Sequence, residues 1–160
     1  MAGATALGLL GLLAFQLLGG SDPAGAPDPR ARQYEDEDAC LLTGDQGIAS
    51  GTPAAPVWQA MQKASLDTRA RVNYVPVTGE QSVANARPFF NTLMQRQCGV
   101  VLAVGGPQVE VTEAGAARHP NIRFVVVDGS SDAANVVVAK SGEGLEETVV
   151  DAIQQVVKGR

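Results

Sequence analysis

Short apolar runs, each closed by glycine or aspartate, punctuate the chain from residue 39 onward. In Cys98 to Gly106 (CGVVLAVGG) five of the six residues after the first glycine are apolar, and two glycines and a proline close the run. A valine-rich run this short cannot hold together as an isolated helix and reads as a parallel strand covered on both faces. Ala39 to Gly47 (ACLLTGDQG) and Asn121 to Gly129 (NIRFVVVDG) repeat the pattern, with strands expected over Ala39–Thr43 and Ile122–Val127. Arg71 to Val77 alternates and carries Pro76, which would remove a ladder hydrogen bond from a central strand, so an edge is predicted there. Asn135 to Ala139 is a short fifth strand.

Between the strands the period lengthens to that of a helix. The first helix begins near Pro53 or Pro56, buries Val57, Trp58, Met61 and Ala64, and ends by Asp67. The second runs from about Glu80 to Gln97, with a kink or a late start expected at Pro88. Val109 to Arg118 is a third, stopped by His119-Pro120. Glu143 to Lys158 is the last, acidic at its start and basic at its end as the macrodipole favours. Alternating strands and helices predict an open α/β sheet whose carboxyl-edge loops form any ligand crevice. Asp45, Gln46, Gly105, Gly106, Asp128 and Gly129 fall just past the carboxyl ends of three strands and are the candidate ligand-binding residues. Turn and cap chemistry is the competing role for each, since glycine supplies positive φ and aspartate caps its own turn.

Ahead of this pattern, Met1 to Ser21 has no charged side chain and contains the run ALGLLGLLAFQLL, Ala6 to Leu18. That is the length of a signal-peptide core within an uncharged stretch of about the 20 residues a membrane helix needs, so residues 1–21 are expected to be a signal peptide or an anchor. Residues 22–38 read as a disordered tether rich in Pro and Gly and closed by the solvated acidic run Glu35 to Asp38. Residues 39–160 form the folded domain, of a size that buries one core. The formal charge of −5 and the lack of a Lys/Arg cluster argue against a nucleic-acid partner. One His and two Cys are too few for a closed zinc site, and no CxxC or HExxH occurs.

Three groups of residues together carry a resemblance. The run TGDQGI (Thr43 to Ile48) with Trp58 further on, the segment Gln81 to Gly106 with Asn85, Leu93 and the closing VLAVGG, and ARHPNIRFVVVDG (Ala117 to Gly129) followed by Asn135-Val136 resemble, in order and spacing, the first lobe of the basic membrane protein (BMP) family. These are surface-anchored substrate-binding proteins of ABC importers, many of which bind nucleosides. The resemblance spans Cys40 to about Lys140. It implies a type I periplasmic-binding-protein lobe: a three-layer, flavodoxin-like α/β fold with five parallel strands in the order 2-1-3-4-5. It implies as partners a small-molecule solute or an importer permease. Ala49-Ser50 and Pro53-Ala54 stand where the family carries an acidic pair and a Phe-Asn pair that help hold the nucleoside. The expectation is a single lobe with those groups largely lost, and a homodimer pairing two carboxyl edges is one way to complete the cleft.

In the strand order that the resemblance implies, Cys40 and Cys98 begin neighbouring parallel strands about 4.8 Å apart, within the separation a disulfide accepts. In an exported protein the pair is expected to bond, the other role being two buried thiols that pack as small apolar residues. Two functional classes follow. One is an exported or membrane-tethered, non-catalytic solute-binding-like domain; the other is a small flavodoxin-like enzyme or cofactor carrier. The first is favoured, because the single His119 ends a helix, Trp58 keeps core register with Met61 and Ala64, and Ser50, Ser130 and Ser131 lack a GxSxG context. No catalytic residue, metal or cofactor is assigned, and an extracytoplasmic location is expected.

Overall fold

In the computed structural model, which describes Tyr34 to Gly159, the apolar runs pair side by side as parallel strands. The leader or anchor expected over residues 1–21, and the tether before Tyr34, lie outside the described residues. The strands are β1 (Asp38–Thr43), β2 (Arg71–Pro76), β3 (Val100–Ala103), β4 (Arg123–Val127) and β5 (Val136–Ala139). They form one five-stranded parallel sheet in the order β2-β1-β3-β4-β5, which is the α/β flavodoxin-like arrangement. The helices are α1 (Ala54–Thr68), α2 (Val83–Gln95), α3 (Gly106–Ala116) and α4 (Leu145–Lys158). Among the described residues no helix is long and apolar enough to cross a membrane.

The period of two along each strand divides the core between the two faces. Leu41, Val100, Leu102 and Val125 pack beneath α1 and α4 with Val57, Met61, Val149 and Ile153. Cys40, Leu42, Val101 and Phe124 face the other way, against Ala86, Phe90 and Leu93 of α2 and Val111 of α3. Leu41, Val101, Leu102, Val125 and Val126 are all fully buried. Each such side chain contributes about 1.5 to 3 kcal/mol on burial. The two edge strands are less covered: β5 is half-buried from Val136 to Val138, and β2 is half-buried along most of its length, with Tyr74 exposed.

Element starts differ from the sequence reading where local chemistry moves them. The second helix opens at Val83, because the Ser82 hydroxyl caps it by accepting the Asn85 N–H at 3.3 Å. Pro88 therefore sits inside α2. The third begins three residues earlier than expected, because Gly105, at φ 105°, turns the chain and Gly106-Pro107 supply its first turn. The acidic run Glu35 to Asp38 is not merely solvated. Glu35 N–H donates to Arg69 O at 3.0 Å, Glu37 O accepts Arg71 N–H at 2.8 Å, and Arg71 pairs with Asp36 and Asp38. Glu37 is 3% exposed, and a Cβ on Gly99 would stand 1.4 Å from its Oε1, so that glycine makes the space for the carboxylate. These backbone bonds and the burial of Glu37 tie the segment to the sheet, whereas exposed ion pairs add only about 0–1 kcal/mol.

Candidate functional site

The carboxyl edge of the sheet opens where the crossovers leaving β1 and β3 diverge, the position at which doubly wound sheets bind ligands. A cleft of about 290 Å³ lies there, lined by the Gly44–Gly47 turn, Thr52 and Pro53 before α1, Gln81 before α2, and Gly105 to Gln108 at the start of α3. A second hollow of about 340 Å³ shares Pro53, Val104, Gly105 and Gly106 with it and continues to Asp128 and Ser141.

Each wall has a local cause. The Gly47 N–H donates to Gly44 O at 3.0 Å, closing the turn, and Gly47 lies at φ 58° with the Tyr74 ring against it. A Cβ at Gly47 would stand 3.2 Å from that ring. Tyr74 in turn meets Trp58 edge to face, with ring centroids 5.4 Å apart, so Trp58 supports the turn from outside the cleft. Its half-buried ring packs against the α1 side of the core, in the register expected. Thr52 Oγ1 donates to Ala49 O at 2.8 Å and fixes the approach to α1.

The candidate residues therefore separate. Asp45, Gln46, Gly105 and Gly106 come together around the first cleft. Asp128 borders the second hollow, where its carboxylate accepts the Ser141 backbone N–H at 3.0 Å and the Ser141 hydroxyl. These two hydrogen bonds, the hydroxyl's first, hold the Asp128 carboxyl below its ordinary value. Asp128 also lies at φ 56° and donates its own N–H to Ala139 O at 2.9 Å, so it joins the ends of β4 and β5. Gly129 lines neither hollow; a Cβ there would stand 2.4 Å from Glu113 Oε1 and 2.7 Å from Val109 Cγ1. Its place is one of close packing.

Two residues that the sequence does not single out as ligand-binding complete the first cleft. Gln108, in the first turn of α3, is 1% exposed, and its Nε2 donates to Gln81 Oε1 at 2.9 Å. Gln81 Nε2 donates to Val77 O at 2.8 Å and Gly79 O at 3.1 Å. The signal for them was weak, since the pair is 27 residues apart and the sequence marks Gln81 only as the start of a segment that carries the resemblance. The titratable side chains lining the two hollows are Asp45 and Asp128. His119 follows the opposite end of α3, its ring 6.1 Å from that of Phe90. Among the described residues no cluster of His, Cys, Asp and Glu could hold a metal ion.

Cys40 and Cys98 are joined by a disulfide, with Cα atoms 6.0 Å apart. It lies on the α2/α3 side of the sheet, away from the cleft.

No family model matches the sequence, and no curated protein matches it. Solved structures do. A fragment described as a lipoprotein from Peptoclostridium difficile 630 superposes with a TM-score of 0.62 at 15% identity, over 75% of this chain and 98% of that one. A transcriptional activator of the comK gene from Bacillus halodurans gives 0.51 at 13% identity, over 62% of this chain and 33% of that one. An ABC transporter system solute-binding protein from Aeropyrum pernix K1 gives 0.49 at 16% identity, over 62% and 27% respectively. The chain thus spans a third or less of the length of the last two. What it shares with the first two, at these identities, is the fold.

Proposed function

We propose that the domain is a non-catalytic, extracytoplasmic solute-binding-like lobe, akin to the first lobe of the BMP family, that takes a small solute at the carboxyl-edge cleft between β1 and β3. The observation that carries this reading is the make-up of the cleft: backbone turns, glycines and neutral amides at the switch point of the sheet, with Asp45 as the sole titratable side chain in its lining. Acid–base or nucleophilic chemistry needs a second convergent group, and His119 lies at the far end of α3.

The disulfide supports an oxidising compartment, since such bonds persist in exported proteins and are rare in the cytosol. Attachment through residues 1–21 and delivery of the solute to an importer permease belong to the same proposal. At about 290 Å³ the cleft is at the lower limit of ligand pockets and open on one side, so binding is weak unless a second surface closes over it.

A variant that plugs the cleft tests this. A Cβ on Gly106 meets nothing within 4 Å, and its φ is not in the left-handed region, so Gly106→Phe fills the hollow without backbone strain. A calorimetric screen of small solutes should find millimolar or tighter binding that Gly106→Phe abolishes while the melting temperature holds. Binding that survives Gly106→Phe would reject the cleft as the site.

A further inference from the structure

The amide pair at the cleft has a fixed direction. A primary amide offers two N–H donors and an acceptor oxygen. Gln81 spends its Nε2 on two backbone carbonyls, Val77 O and Gly79 O, so turning its amide over would set oxygen against oxygen. Its Oε1 must therefore face Gln108 and can receive only a donor. Gln108 accordingly turns its Nε2 to Gln81, and its own Oε1 the other way, toward Gly105. A Cβ at residue 105 would stand 2.5 Å from that oxygen, so glycine at this position leaves the oxygen room. Among the described residues, the side chain of Gln108 makes no hydrogen bond besides the one to Gln81. The result is an acceptor oxygen on a residue that is 1% exposed, beside the uncapped first turn of α3, where Gly106 and Gln108 carry backbone N–H donors and Pro107 has none.

We infer that the Gln81–Gln108 pair is the selectivity element of the cleft and tunes it for a neutral solute carrying a carboxamide or hydroxyl group, against carboxylates of the same size. This rests on the reading of the cleft as a solute site. A carboxamide or hydroxyl offers a donor to Gln108 Oε1 and an acceptor to the helix N–H groups at once. A carboxylate satisfies the N–H groups but sets a charged oxygen against Gln108 Oε1, in a lining that contains Asp45 and no Lys, Arg or His. Leaving that buried acceptor unpaired, or facing an anion, costs the wrong ligand more than the right one gains.

The experiment uses the full chain and matched probes: nicotinamide against nicotinate, benzamide against benzoate, and propionamide against propionate. Binding is followed through the side-chain amide resonances of Gln81 and Gln108 and the backbone resonances of Gly44 to Gly47, Gly105 and Gly106. The carboxamides should bind about tenfold tighter than their carboxylates and move the Gln108 amide, one lost charge-opposed contact being of that order. Gln108→Met, which keeps volume and removes the acceptor, should erase the preference. Should that variant fail to fold, Gln81→Met at the more exposed partner should narrow it instead. Carboxylates binding as well as the amides, or Gly44 to Gly47 moving while the Gln108 amide does not, would overturn the selectivity role and leave the cleft standing. No probe moving any cleft resonance would overturn both.

Discussion

Cys40 is bonded to Cys98, although the residue that faces Cys40 across the β1–β3 ladder is Val101, three positions further on. The chain ahead of β3 therefore turns back on itself, with Gln97 at φ 58°, and brings Cys98 beneath the neighbouring strand at a Cα separation of 6.0 Å. Both half-cystines are at most 1% exposed, so the staple is enclosed by the α2/α3 layer.

The bond closes a loop of 58 residues, for which the chain-entropy model gives on the order of 4 kcal/mol. Cys40→Ala/Cys98→Ala should lose stability of this order, less what the two alanines recover by packing. Denaturant titration with and without reductant measures it. Protein recovered under oxidising conditions should take up no alkylating agent until it is unfolded and reduced; two freely alkylated thiols in that protein would contradict the bond.

Gly115 sets the closeness of α3 to α2. A Cβ there would stand 2.6 Å from both Cε1 and Cζ of Phe90, which is itself stacked on Phe124 at 6.1 Å. Helix propensity favours alanine over glycine by about 1 kcal/mol, but overpacking a core costs about 1–3 kcal/mol, so packing wins. Gly115→Ala should lower the melting temperature. Gly106→Ala, in the same helix with nothing within 4 Å of its Cβ, should hold or raise it. Equal effects from the two would refute the assignment to packing.

Much of the fold was legible because its strands are buried on both faces. Val100 to Ala103 and Phe124 to Val127 are continuous apolar runs whose period alone excludes an exposed strand, and Pro76 marked β2 as an edge. The strand order was not in the periodicity; it came with the resemblance, and the sheet has that order. Helix starts were less legible, because a cap such as Ser82 or Gly105 is fixed by backbone geometry and not by the apolar stripe. For the candidate site, glycines past strand ends pointed to the carboxyl edge but could not distinguish Gly105, which lines the cleft, from Gly129, packed against Val109. Gln81 and Gln108 were missed because their meaning lies in a contact across the edge. Glu37 was missed because a run of acids reads as solvated until Gly99 opens a place for one of them.

Asp128 carries a testable pH dependence. Its folded pKa lies below the ordinary 3.8, chiefly because the Ser141 hydroxyl and then the Ser141 N–H stabilise the carboxylate. A depressed carboxyl contributes stability that is present above the unfolded value and is lost as pH falls through the folded value. Ser141→Ala should raise the Asp128 pKa toward 3.8, measured by carboxyl carbon chemical shift, and remove part of the acid limb of the stability profile. The group is solvent-exposed, so the change should be small in stability and clear in the titration. An unchanged Asp128 pKa in Ser141→Ala would exclude the hydroxyl as its cause.

Asn135 gathers three carbonyls. Its Nδ2 donates to Ala116 O at 3.0 Å, His119 O at 3.0 Å and Ile122 O at 3.1 Å, so one side-chain amide ties the end of α3 to the chain entering β4, beside the start of β5. An amide N carries two protons, so three acceptors share them. Asn135→Ala removes the donor and leaves partly buried carbonyls without it, which costs about 1–3 kcal/mol. Asn135→Asp keeps shape and exchanges the donor for an oxygen, so the carboxyl must stay protonated to donate at all. Its pKa should therefore rise above the ordinary carboxylate range, and the variant should lose stability as pH rises through that raised value, the reverse of the wild-type acid limb. Chemical denaturation at pH 4 and pH 8 separates the two variants. Asn135→Ala should be equally destabilised at both, Asn135→Asp more so at pH 8, and a pH-independent Asn135→Asp would show that the side chain has left the carbonyls for water.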